Sequence, residues 1–298
     1  MSLKLKPLNE QVIVITGASS GIGLCTAQAA AKQGASVVLC ARSGETLDNI
    51  VSQINASGGQ ALAVTVDVAK RDDMQRVARE TINRFGRIDT WVNNAGVAIF
   101  GRLEQVSEED SRRLFDTNFW GVVNGSLAAL PHLKTQGGAL INVGSEVSEA
   151  AAPMIGMYVA SKHAVKGFTD ALRIETEKID QAPVSITLIQ PTAVDTPFDK
   201  HGKNYMDKEP DLPTPMIDPQ QVADAILAAA VKPTRDTRVG MMAKVNTFTA
   251  KNLPGVADRM AAGQAENLQR DEPPQRDREG ALHIPSEDGN IHGDHNSA

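Results

Sequence analysis

Short runs of β-branched residues alternate with longer stretches of helical periodicity, and this alternation most constrains how the chain can fold. Val12-Ile13-Val14-Ile15 precedes a helical pattern from Cys25 to Gln33, Ser36-Val37-Val38-Leu39 precedes Leu47 to Ile54, and Leu62 to Val66 precedes Met74 to Phe85. The rhythm continues through Trp91-Val92, a long segment from Ser107 to Leu133, Ala139 to Val143, Tyr158 to Ile179 and Val184 to Ile189. A helix from Pro219 to Ala230 and a short strand near Thr237 to Gly240 close it. Strand, helix and strand at this spacing require right-handed crossovers and a parallel sheet. The apolar runs are continuous rather than alternating with polar residues, as in a sheet covered by helices on both faces. The expected class is α/β, a doubly wound parallel sheet.

Composition bounds the rest. The net charge of −6 over 298 residues is uneven: from Arg270 to Ala298 three arginines face seven carboxylates, so the body is almost neutral. Neither part has the basic surplus that nucleic acid or an anionic membrane requires. Cys25 and Cys40 are too few for a disulfide framework, and no Cys/His set has zinc spacing, so no metal is expected and a cytoplasmic location is. Met1 to Glu10 has no apolar run of the kind a signal peptide carries, and the longest uncharged stretch, Gln11 to Ala31, is too rich in Gly, Ser and Thr for a membrane span. Beyond Met242 the periodicity decays. Residues 1–245 are expected to form one catalytic body, and residues 246–298 an extension, partly disordered or docked on a partner, too polar from Gln264 onward to bury a core.

Thr16-Gly17-Ala18-Ser19-Ser20-Gly21-Ile22-Gly23 follows the first strand and opens the first helix. Glycines there permit a tight turn and let main-chain N–H groups and the positive helix end approach a pyrophosphate. The second strand ends in Cys40-Ala41-Arg42-Ser43, with no carboxylate to take a ribose hydroxyl and a guanidinium suited to a 2′-phosphate, which favours NADP(H) over NAD(H). Tyr158 and Lys162 are four residues apart, on one face of a helix. A nearby ammonium favours a phenolate, so the pair makes a proton donor and acceptor tuned toward neutrality.

The glycine turn, Asn93-Asn94-Ala95-Gly96, Ser145 thirteen residues before Tyr158, and Tyr158-x-x-x-Lys162 together resemble the short-chain dehydrogenase/reductase family, in its single-domain, Rossmann-like branch, from about Val12 to Gly240. The resemblance implies that Ser145 binds the substrate oxygen, that Tyr158 gives or takes its proton, and that Lys162 lowers the Tyr158 pKa and holds the nicotinamide ribose. It implies that Asn118 holds a proton-relaying water. It assigns the cofactor to Gly17, Ser19, Ser20, Gly21, Ile22, Gly23, Arg42, Ser43, Asp67, Val68, Asn94, Ala95 and Gly96, and to Pro191, Val194 and Thr196 on the nicotinamide side. Long helices of the family pair across two-fold axes, so a homodimer or homotetramer is implied.

One departure stands out. Where the family commonly has Pro-Gly, this chain has Pro191-Thr192, and Asp195 adds a carboxylate without an evident role. Glu146 and Glu149 flank Ser145 and read as a solvated loop edge; His163 and His132 read as structural, and Cys25, Cys40, Trp91 and Trp120 as core or interface. Val97, Ile99, Phe100, Ala151, Ala152, Met154, Ile155, Met157, Phe198, Tyr205 and Met206 are the expected substrate lining, largely apolar, beneath a proline-rich lid between Thr196 and Asp218. The expected activity is NADP(H)-dependent hydride transfer to or from a lipophilic carbonyl or secondary alcohol. The alternatives are a non-catalytic dinucleotide sensor or scaffold, favoured by the altered Pro191-Thr192 segment and the acidic tail, and a nicotinamide-using epimerase or dehydratase.

Overall fold

The computed structural model describes residues 3–286 and 289–293. In chain order the elements are β1 (Val12–Thr16), α1 (Gly21–Lys32), β2 (Ser36–Ala41), α2 (Gly44–Ala56), β3 (Gln60–Thr65), α3 (Arg71–Phe85), β4 (Thr90–Asn93), β5 (Ile99–Phe100), α4 (Glu108–Phe115), α5 (Gly121–Gln136), β6 (Gly138–Val143), α6 (Gly156–Arg173), β7 (Val184–Pro191), α7 (Phe198–His201), β8 (Lys203–Asn204), α8 (Pro219–Val231), β9 (Asp236–Val239), α9 (Met241–Asn252) and α10 (Pro254–Gln264). Seven strands form one parallel sheet in the order β3-β2-β1-β4-β6-β7-β9, and β5 pairs with β8 in a small second sheet.

Successive strand residues serve opposite faces, and both faces are apolar. Ile13, Ile15, Val37 and Leu39 pack with Leu24, Ala27, Leu47, Ile50, Val222 and Ile226 beneath α1, α2 and α8. Val12, Val14, Val38 and Cys40 pack with Met74, Val77, Ala128, Leu133 and Leu172 beneath α3, α5 and α6. The continuous apolar runs in the sequence are these two faces superposed.

The sheet order reverses direction at β1 and β4, so a crevice opens beyond their carboxyl ends, where open α/β sheets bind ligands. The segment expected as one helix from Ser107 to Leu133 is interrupted by a single wide, π-type turn at Asp116–Trp120, with Gly121 N–H donating to Asp116 O. Wide turns of this kind often mark functional sites. A second one, Ile174–Ile179, ends the helix that carries Tyr158.

Where the apolar periodicity decays, the structure has helices all the same. The helix α9 spans the expected boundary at 245, and α10 has no buried residue, with Leu253, Val256 and Met260 exposed. Past α10 the chain runs along the body. The guanidinium of Arg276 meets two buried carboxylates, Asp199 at 2.9 Å and Glu209 at 2.6 Å, and Asn204 N–H donates to Arg278 O.

Candidate active site

The turn after β1 is held from behind. Thr16 Oγ1 accepts from the N–H groups of Asn94 and Ala95 at 3.0 and 3.1 Å, and Asn94 Nδ2 donates to the oxygens of Thr16 and Gly17. The approach is so close that a Cβ on Gly17, itself left-handed at φ 65°, would lie 2.7 Å from Ala95 Cα. One on Gly23 would lie 2.0 Å from Gly17 O. Ser20 stands at the N-terminus of α1 without capping it through its side chain, and Gly21 N–H, first in that turn, donates to Asn290 O at 2.8 Å.

At the end of β2, Arg42 donates through Nη1 to the main-chain oxygens of Leu282 at 3.1 Å and His283 at 3.3 Å, and through Nη2 to that of Ala281. Ser43 Oγ donates to Ser286 O. After β3, Asp67 accepts from Arg113 at 2.8 Å and from Ala69 N–H, while Asn124 donates to Val68 O.

Ser145 follows β6 and opens a short 3-10 turn, Glu146–Ser148, whose Val147 N–H it accepts. Tyr158 and Lys162 lie one turn apart on α6, with Lys162 Nζ 5.6 Å from the phenol ring centroid. Lys162 donates to Val143 O at 2.9 Å and is buried. Burial pushes the Tyr158 pKa up to about 12, against a hydrogen bond from Ser145 that lowers it, and the Glu146 charge pushes the same way as burial. Burial also draws Lys162 down to about 8. Withdrawal from water and the Glu146 charge thus push the phenol up, while the Ser145 hydrogen bond draws it down, with Lys162 beside the ring.

Asn118, in the wide turn, is fully buried; it accepts from Val97 N–H and donates to Val97 O and to Ser161 Oγ, which in turn donates to Tyr158 O. It pins the loop after β4 to α6 behind the cavity wall rather than lining the cavity. Gly23 likewise sits behind the wall. The remaining site residues of the sequence reading, from Gly17 to Thr196, line a single cavity of about 520 Å³ that runs from the glycine turn past Arg42 and Asp67 to Ser145, Tyr158 and Lys162. The glycine cradle, the helix end that no side chain caps and the continuity of this cavity with Ser145 and Tyr158 fit a dinucleotide laid along the crevice.

Val97, Phe100, Ala151, Ala152, Ile155 and Phe198 line the same cavity, with Phe198 edge-on to Tyr158 at 5.3 Å. Ile99, Met157 and Tyr205 instead pack with Leu114 and Leu282, and Met154 and Met206 with Phe100. Those five support the wall rather than form it.

Glu146 and Glu149 are not a solvated edge. Glu146 is buried, accepts from Asn246 Nδ2 at 3.0 Å and from the Thr192 hydroxyl, and burial raises its pKa despite both bonds. Glu149 pairs with Arg238 at 3.0 Å and accepts from Gln190. Thr192, where the family has glycine, is thus a partner of Glu146. Asp195 accepts from Gly293 N–H at 3.2 Å and lies 3.3 Å from His292 Nδ1. The sequence reading missed Asn246 and residues 281–286 and 289–293, which meet the site only through tertiary packing. Cys25 and Cys40 are free and buried, with thiol pKa values pushed up by burial, Cys25 to about 11.

A family model described as short chain dehydrogenase matches residues 11–206. The chain is 46% identical over 280 residues to the uncharacterized oxidoreductase YxnA of Bacillus subtilis, covering 93% of this chain and 78% of that one. It is 34% identical over 236 residues to 11-beta-hydroxysteroid dehydrogenase A of Sesamum indicum, covering 76% and 67%. Among solved structures, it is similar to an alcohol dehydrogenase from Thermococcus sibiricus complexed with 5-hydroxy-NADP, with a TM-score of 0.67 and 31% identity over 77% of this chain and 94% of that one. A short-chain dehydrogenase from Streptomyces avermitilis matches with a TM-score of 0.69 and 28% identity, over 86% and 95%. The chain belongs to the short chain dehydrogenase family of oxidoreductases.

Proposed function

We propose that this oxidoreductase transfers hydride between NADP(H) and a lipophilic carbonyl compound or secondary alcohol, with Tyr158 as its acid and base. The observation that carries the reading is that Ser145, Tyr158 and Lys162 line one cavity continuous with the glycine turn. The bound cofactor supplies the hydride; the protein supplies position and the proton. Tyr158, with its pKa at about 12, is a neutral phenol at physiological pH and donates its O–H proton to the substrate oxygen as negative charge develops there. Ser145 donates a hydrogen bond to the same oxygen. Lys162 places a positive charge beside the phenol that stabilises the phenolate left behind, and Asn118 holds α6 in register with the loop after β4.

Arg42 and the lack of a carboxylate at the end of β2 support NADP(H), as does the ligand of the Thermococcus sibiricus relative. The apolar wall of Val97, Phe100, Ile155 and Phe198 supports a lipophilic substrate, in keeping with hydroxysteroid dehydrogenases among the relatives. Trp120, Leu127, Ile174 and Ile179 are exposed on and just beyond α5 and α6, which supports pairing of two copies through that face. No helix of the described residues is long and apolar enough to cross a membrane; two free, buried cysteines suit a cytoplasmic setting. Oxidation of NADPH followed across a panel of aliphatic and polycyclic ketones tests the assignment. Turnover of at least one ketone that falls about a hundredfold or more in Ser145→Ala is expected; no ketone-dependent oxidation of NADPH by the wild-type chain overturns it.

A further inference from the structure

The acidic extension returns to the cofactor crevice and occupies it with main-chain oxygens. The guanidinium of Arg42 is bonded to Ala281, Leu282 and His283, Ser43 Oγ to Ser286, and Gly21 N–H, at the start of α1, to Asn290 O at 2.8 Å. This path is anchored by side chains. Leu282 is fully buried against Val97, Ile99 and Leu114, and His283 Nε2 lies 2.7 Å from Asp110. Ala281 N–H donates to His201 O, and Gly280 turns left-handed at φ 52° where a Cβ would meet that same oxygen at 2.6 Å.

We propose that the main-chain oxygens of Ala281, Leu282 and His283 determine cofactor specificity: they hold the Arg42 donors that a 2′-phosphate needs, so NADP(H) displaces this segment while NAD(H) leaves it seated. The inference rests on the dinucleotide reading of the crevice. A guanidinium has five N–H donors in one planar fork, and both of its terminal nitrogens are engaged here. Phosphate oxygens entering the same fork would lie against three carbonyl oxygens, negative against negative. A charge-assisted bond is about twice as strong as a neutral one, so the phosphate wins Arg42 locally. It does so against the burial of Leu282 and the Asp110–His283 contact, and the apparent affinity for NADP(H) falls by the fraction of molecules in which the segment is seated. A ribose hydroxyl brings no charge and needs no such exchange.

Backbone hydrogen–deuterium exchange on the full chain, with no nucleotide, with NADP⁺ or with NAD⁺ at saturation, reads this directly. Both nucleotides should slow exchange in residues 17–23. NADP⁺ alone should speed exchange in residues 281–286, by about tenfold or more. Slowed or unchanged exchange at 281–286 with NADP⁺, or the same response to both nucleotides, overturns the proposal. If neither nucleotide protects residues 17–23, the dinucleotide reading itself falls and the proposal falls with it. In a second arm, Leu282→Asp unseats the segment, and the Kd for NADP⁺ should drop about fivefold or more while that for NAD⁺ stays unchanged. Equal changes in both, or a weaker Kd for NADP⁺ alone, count against it.

Discussion

Glu146, the residue after Ser145, accepts a hydrogen bond from Asn246 Nδ2 at 3.0 Å, which ties the loop after β6 to a helix one hundred positions further along the chain. The carboxylate also raises the Tyr158 pKa, so this contact lies within the electrostatics of the acid and base. Glu146→Gln removes that charge. It should leave reduction near neutral pH within a fewfold and move the rise of alcohol oxidation to lower pH, as read from kcat/KM against pH. A profile unmoved in both directions would separate Glu146 from Tyr158.

The wild-type pH dependence follows from the same groups. With the Tyr158 pKa at about 12, the phenol remains the proton donor throughout the neutral range. Ketone reduction should vary little between about pH 6 and about pH 8, whereas alcohol oxidation, which needs the phenolate, should climb with pH across the same range. Initial rates in both directions, at saturating cofactor, check this.

Arg42→Asp reverses the charge where the 2′-phosphate is expected. Loss of a charged hydrogen bond and introduction of a repelling carboxylate should raise the Kd for NADPH by about tenfold to a hundredfold while NADH binding holds or improves. Quenching of protein fluorescence by each nucleotide measures both; equal NADPH affinity in the variant would reject the assignment of Arg42.

Arg276 is shared by Asp199 and Glu209, whose side chains are almost wholly buried. Arg276→Ala withdraws that guanidinium from both and should destabilise the chain by roughly 2–3 kcal/mol, the lower end for a buried pair because Arg276 is itself partly exposed. Chemical denaturation measures the loss. A change within about 0.5 kcal/mol would mean that the extension is not held by this contact.

Much of this was legible in the residues. The parallel sheet covered by helices on both faces follows from continuous apolar runs and right-handed crossovers, and five candidate site segments fall after β1, β2, β3, β4 and β6 because strand ends in such a sheet open on one crevice. Tyr158 and Lys162 were readable because a helix converts a spacing of four into a shared face. Glu146 was not: its burial comes from α9, in a stretch whose apolar residues are largely exposed and carry no core periodicity. The extension was misleading for a related reason. It binds Arg42, Ser43 and Gly21 through main-chain oxygens, which any residue possesses, so composition carries no trace of the contact. Asp195 meets Gly293 N–H and His292, almost a hundred positions further on, through the fold alone.

The most direct measurement is a single turnover of enzyme-bound NADPH with an accepted ketone, followed by nicotinamide absorbance, in the wild-type chain and in Tyr158→Phe. NADPH should bind the variant with unchanged affinity and its oxidation should slow by about a thousandfold or more, since the phenyl ring keeps the packing against Phe198 and lacks only the proton. Oxidation at the wild-type rate in Tyr158→Phe would contradict Tyr158 as the acid and base.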